Sequence, residues 1–154
     1  MLVPLTPLEF RERAANLYGS KTGVVDGEKR FTYAEYDQRV NRFANALTNL
    51  GLKKGKTVSF LTYNSHQLLE AYYAVPQVNG VLNPINIRLS PIEIEYIVNH
   101  AEAQILCFHQ DFLNVVEQIK PDLKTVEKYI IFESDTRYDW AKDYERLLEN
   151  ADPV

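Results

Sequence analysis

Thr57-Val58-Ser59-Phe60-Leu61, and after Thr62-Tyr63 the run Asn64-Ser65-His66-Gln67-Leu68-Leu69-Glu70-Ala71-Tyr72-Tyr73-Ala74-Val75-Pro76, is the stretch whose reading decides the fold. Four of the first five residues are β-branched or apolar, Ser59 being the exception, and the run sits between Gly55 and Asn64-Ser65, so it reads as a strand. The second run places Leu68, Leu69, Tyr72, Tyr73 and Val75 at helical spacing. It predicts a helix that kinks or ends near Pro76, because an interior proline removes a hydrogen bond and costs ~3 kcal/mol. Val81-Leu82-Asn83 follows as a short second strand. Ser90-Pro91-Ile92-Glu93 is a capping box with proline at the first helical position, which opens a helix to about His100. Gln104–Phe108 is a third strand, a helix runs from about Asp111 to Lys120, and Tyr129–Phe132 is a fourth strand. Strand and helix in regular alternation imply an α/β fold: a mostly parallel sheet joined by crossover helices that cover both faces.

Upstream, Thr6 and Pro7 start a helix to about Tyr18. Gly23–Gly27 and Lys29–Phe31 form two short strands around an Asp26-Gly27 turn. Thr32 and Glu35 form a second capping box, with Phe31 and Tyr36 at the staple positions. Tyr36, Val40, Phe43, Ala44, Leu47 and Leu50 then recur at helical spacing, and Gly51 ends that helix. Downstream, Trp140, Tyr144, Leu147 and Leu148 predict a last amphipathic helix, and residues 150–154 read as a loop-like tail.

At 154 residues, with 45% hydrophobic and 25% charged side chains, the chain suits a single α/β domain spanning 1–154. Its formal charge of −4, from 17 basic and 21 acidic residues, argues against a nucleic-acid partner. Cys107 is the lone cysteine, so no internal disulfide is expected. The N-terminus carries Pro4 and Pro7 and no basic segment, unlike a signal peptide, and no apolar run reaches the ~20 residues of a membrane span. The expected location is cytoplasmic.

Gly51-Leu52-Lys53-Lys54-Gly55-Lys56-Thr57 resembles a phosphate-binding loop but has its glycines one residue too close, and it joins a helix to a strand instead of a strand to a helix. It reads as a plain turn. His66, His100 and His109 lack metal-ligand spacing and are expected at the surface or as caps. Cys107 reads as a buried, inert thiol. Glu93 and Glu95 point to different sides of their helix, and no other carboxylate pair suggests acid–base work. Tyr72 and Tyr73 lack interleaved basic residues and read as packing groups. Asn83–Ser90 is different. It follows a strand, precedes a capped helix and carries Arg88, whose planar fork suits phosphate.

These segments, in order, resemble the adenylate-forming acyl-CoA synthetases, closest to fatty-acid and medium-chain CoA ligases. Phe31-Thr32-Tyr33-Ala34-Glu35, Ala44–Leu47 through Gly51-Leu52-Lys53-Lys54-Gly55, Asn64-Ser65 through Glu70–Pro76, and Val81–Asn86 with Arg88-Leu89-Ser90 match that family's early motifs. Tyr63, Asn79-Gly80 and Ile87 depart from its usual residues. The resemblance implies the N-terminal subdomain of the adenylate-forming fold. It also implies, for a complete enzyme, ATP- and Mg²⁺-dependent conversion of a fatty acid to an acyl-adenylate, followed by transfer to CoA. The family's phosphate loop and its C-terminal catalytic lysine have no counterpart here, so no catalytic or metal-binding residue is assigned and the chain alone is expected to be inactive. By the same resemblance Arg88 is expected to contact CoA phosphates in the complete enzyme. The alternative is a free-standing interaction module, forming a homodimer through exposed apolar surface.

Overall fold

The computed structural model describes residues 6–154, so Met1–Leu5, part of the N-terminus read above, lies outside the described residues. Helix α1 (Pro7–Tyr18) starts with Pro7 as expected, although the Thr6 side chain makes no capping hydrogen bond. Strands β1 (Thr22–Asp26) and β2 (Lys29–Thr32) form an antiparallel hairpin. Asp26 pairs with Lys29, so the central turn residues are Gly27-Glu28, one position later than expected. Helix α2 (Tyr33–Asn49) has the predicted capping box. The Thr32 hydroxyl accepts the Glu35 N–H at 3.2 Å, while the Glu35 carboxylate accepts the Thr32 N–H at 2.8 Å. This satisfies two backbone donors that a helix start leaves without partners.

Strand β3 (Thr57–Leu61), helix α3 (His66–Gln77), strand β4 (Val81–Pro84), helix α4 (Pro91–His100) and strand β5 (Ala103–His109) follow in the predicted alternation. Pro76 is the penultimate residue of α3, where its missing N–H costs one bond near the helix end instead of a mid-helix kink. Helix α5 (Leu113–Ile119) is shorter than expected. Tight 3-10 turns at Gln110–Phe112 and Lys120–Asp122 flank it, and Pro121 in the second has no N–H to extend the helical ladder. Strand β6 (Lys128–Phe132), a two-residue strand β7 (Lys142–Asp143) and helix α6 (Tyr144–Glu149) complete the described chain.

The expected last helix was too long. Trp140 lies outside it because Lys142 and Asp143 are extended and pair with β6. Asp143 then caps α6 by accepting the Arg146 N–H at 3.0 Å. Trp140 packs on one side of the sheet, stacked on Phe108 with centroids 5.8 Å apart, whereas Tyr144 packs on the other against Phe43 and Phe132.

The five strands run β4-β3-β5-β6-β7, all parallel. Side chains alternate across them, and each face builds its own core. Val58, Phe60, Ile105, Cys107, Ile130 and Phe132 meet α2, α3 and α6 on one face. Leu61, Leu106, Phe108 and Ile131 meet α4 and α5 on the other. Each such fully buried apolar side chain contributes about 1.5–3 kcal/mol. Burial on both faces explains the near-continuous apolar runs of β3 and β5.

Candidate functional site

The chain visits β4 on one side of β3 and then β5 on the other, with α3 and α5 on opposite faces. The order reverses between β3 and β5, and in open α/β sheets ligands bind beyond the carboxyl ends of the strands at such a reversal. Tyr63 and His109 meet there with centroids 5.2 Å apart, and Phe112 lies 5.2 Å from the Tyr63 ring. The Tyr63 hydroxyl donates to Asp111 at 3.2 Å, and His109 Nδ1 accepts the Asp111 N–H at 3.1 Å. A cleft of about 360 Å³ opens beside them, lined by Lys29, Asn64, Gln67 and Glu133 among others. The hydroxyl of Thr62, just after β3, and Oε1 of Gln110, just after β5, are buried without a hydrogen-bond partner within the described chain. Buried polar atoms are nearly always partnered, so these two stand out.

The Asn83–Ser90 loop leaves the carboxyl end of β4, the neighbouring strand end. Its backbone is fixed from both sides. The Ile85 N–H donates to the Phe60 carbonyl at 2.8 Å, extending the β3–β4 ladder, and the Ile85 side chain is buried. Asn83 Nδ2 donates to the Ser59 hydroxyl at 2.9 Å. Asn86 Oδ1 accepts the Arg88 N–H at 3.0 Å, folding the loop tip back on itself. The Glu93 carboxylate accepts both the Ser90 N–H at 2.8 Å and the Ser90 hydroxyl at 2.6 Å, anchoring the start of α4. Ile87 and Leu89 pack on the second core. Arg88 is left exposed, and its guanidinium enters no ion pair among the described residues.

The structure does not bring the Gly51–Thr57 loop to this end of the sheet. It joins α2 to the start of β3, at the amino ends of the strands, and Gly51 and Gly55 take left-handed φ values of 85° and 77°. That is the geometry of a helix stop and a turn.

His66 corrects a sequence expectation, for it is neither on the surface nor an ordinary cap. Its side chain is 1% exposed, and Nδ1 lies 2.6 Å from Asp26 Oδ2. Nε2 lies 3.8 Å from Glu145 Oε1, an ion-pair distance too long for a hydrogen bond. Two carboxylates also converge on Arg39, where none was foreseen. Arg39 donates to Glu70 at 2.6 Å and to both Glu145 oxygens at 2.8 Å, and the Tyr144 hydroxyl donates to Glu70. Burial pushes the Glu70 pKa up, with Arg39 and Tyr144 pulling the other way. Burial also works against ionisation of Glu145, but His66 and Arg39 outweigh it and bring its pKa down to about 2. The partners lie 31 and 106 residues apart in the chain, beyond any local pattern. Only the apolar surroundings of Glu70 in the sequence hinted at a buried charge. His100 is exposed and stacks on Tyr96, and His109 caps the turn after β5, both as expected. Burial pushes the Cys107 thiol well up, as an inert core thiol requires.

A model of the family described as AMP-binding enzyme matches residues 10–153. The chain belongs to the AMP-binding enzyme family. Over 150 residues, 95% of this chain, it is 43% identical to the long-chain-fatty-acid–CoA ligase of Thermus thermophilus and covers 28% of that protein. It is 38% identical over 120 residues to 4-hydroxybutyrate–CoA ligase 2 of Metallosphaera sedula, covering 78% of this chain and 22% of that one. A crystal structure of the anthranilate CoA ligase AuaEII in complex with anthranoyl-AMP superimposes with a TM-score of 0.92 over 99% of this chain and 30% of that one. At 23% identity, that likeness concerns the fold. This chain therefore spans less than a third of the length of these AMP-binding relatives.

Proposed function

We propose that the chain forms, as one α/β domain, the N-terminal part of a fatty-acid–CoA ligase of the cytoplasm and does not catalyse the reaction alone. The observation that carries this reading is the 43% identity to a long-chain-fatty-acid–CoA ligase along almost the whole chain, against 28% of that relative's length. The complete enzyme would use ATP to turn the fatty acid into an acyl-adenylate and pass the acyl group to the thiol of CoA. Among the described residues no three His, Cys, Asp or Glu side chains converge as metal ligands, so no magnesium-dependent step is assigned to them. The unpartnered Thr62 and Gln110 atoms at the carboxyl end of the sheet suit a surface completed by further chain or by a ligand. An acyl-adenylate assay with ATP, Mg²⁺ and fatty acids tests the reading: the 154-residue chain should give no product, and turnover would overturn it.

Within that reading Arg88 contacts the phosphates of CoA. It is exposed on a loop whose backbone is fixed at both ends, and a guanidinium pairs well with phosphate. In a full-length enzyme carrying this segment, Arg88→Ala should weaken CoA binding by roughly tenfold or more, the scale of one charged hydrogen bond. Unchanged CoA affinity would remove the assignment.

One observation favours an interaction module as a second reading. Val25, Leu69 and Tyr72 are 60%, 40% and 51% exposed and line a shared groove between the hairpin and α3. Light scattering separates the readings: a dimer that persists on dilution supports the module, and a monomer or mixed aggregate supports the ligase segment.

A further inference from the structure

The His66 ring sits where three layers of the molecule meet. Asp26 of β1 faces Nδ1 at 2.6 Å and also accepts the His66 backbone N–H at 2.9 Å. Glu145 of α6 faces Nε2 at 3.8 Å. Phe31 of β2 covers the ring at 5.1 Å between centroids, and the Arg39 guanidinium from α2 covers Phe31 in turn at 5.0 Å. Glu70 lies one turn along α3 and binds Arg39 and Tyr144. Glu133, beyond β6, and Lys29 of β2 pair with each other at 2.6 Å nearby, and Arg30 of β2 lines the same cleft as the ring and Glu145. The ring is therefore walled in by the hairpin, α2, α3 and α6, with water nearly excluded.

A neutral imidazole carries one N–H and one bare lone pair, whereas the cation carries two N–H donors. Two carboxylates on opposite ring nitrogens can both be attracted only by the cation. If the ring loses a proton, one nitrogen turns its lone pair toward a carboxylate and that contact becomes repulsive. We propose that His66 is a proton-operated clasp that fastens the β1–β2 hairpin to α6 while doubly protonated and releases one of the two when neutral.

Burial alone would push the His66 pKa down, yet the Glu145 and Asp26 carboxylates and the charge of Glu70 outweigh it, and the net shift is upward. A pKa raised in the folded protein gives stabilisation that is complete below the unfolded value of about 6.5 and fades as pH rises through the folded value. The clasp thus opens on the alkaline side.

NMR of the 154-residue chain between pH 6 and 10, following the imidazole ¹⁵N shifts and the backbone amides of residues 22–32 and 144–149, tests the proposal. The His66 ring should carry two N–H protons at pH 6 and titrate with a midpoint above about 6.5, and the amides of the hairpin or of α6, whichever is released, should move with the same midpoint. Asp26→Asn keeps the shape of the side chain and removes its charge, so it should lower both midpoints by about 1–3 units. Glu145→Gln, on the more exposed α6, gives the same reading if Asp26→Asn does not fold. A singly protonated ring at pH 6, hairpin and α6 signals that both stay flat through the ring's transition, or a midpoint unmoved by the substitutions would each overturn the clasp.

Discussion

The charged cluster beneath the hairpin and the loop bearing Arg88 are opposites. In the first, Arg39, Glu70, Tyr144, Glu145, His66 and Asp26 are drawn from four elements, with their charges spent on one another. In the second, every backbone tie is in place and one guanidinium is left facing solvent. Perturbed pKa values often mark functional sites, but structural ion-pair networks produce them too. Here the perturbed groups join elements, and the candidate ligand residue is one whose guanidinium enters no ion pair among the described residues. Strain on a proton is evidence of packing in one region, and freedom from contacts is evidence of availability in the other.

The comparison predicts a graded set of losses. Glu70→Ala should be the most severe, because it leaves the half-buried Arg39 charge without its innermost partner and the buried Tyr144 hydroxyl without an acceptor. The expected loss is about 3–5 kcal/mol in denaturant unfolding; a loss below ~1 kcal/mol would mean the cluster does not hold the helices together. Acid should act on the same region. The Glu145 pKa is brought down to about 2, so its contribution is complete above about pH 5 and is lost as pH falls toward about 2, and Asp26, also held below its ordinary range by His66, acts in the same direction. The urea midpoint should fall across that window, and Glu145→Gln should flatten the fall.

Caps give the intermediate rank. Thr32→Ala removes an acceptor for the Glu35 N–H and should cost about 1 kcal/mol. Arg88→Ala should be the mildest, within about ±0.5 kcal/mol of the parent stability. A large loss at Arg88 would erase the contrast between the two regions.

Much of the scaffold was readable because its signals are local. Thr32 with Glu35 and Ser90 with Glu93 set helix starts through contacts three residues apart, and β3 and β5 show as apolar runs bounded by turns. Trp140 misled because its spacing from Tyr144 is helical, while the extended Lys142-Asp143 pair sends the two rings to opposite faces. The loop carrying Arg88 was visible from its place after β4. The surroundings of His66 were not, since Asp26 and Glu145 reach it only after the hairpin and α6 have docked, 40 residues upstream in the first case.

The β3–β4 ladder has one more consequence. Val81 and Ile85 turn their N–H groups toward β3, so by alternation the amides of Leu82 and residue 84 face the outer rim. Residue 84 is proline and has nothing to donate. The β4 edge of this parallel sheet thus offers a stray strand a single amide hydrogen between Val81 and Ile85, too little to seed pairing with another chain. Pro84 therefore guards the β4 edge of the sheet against growing sideways.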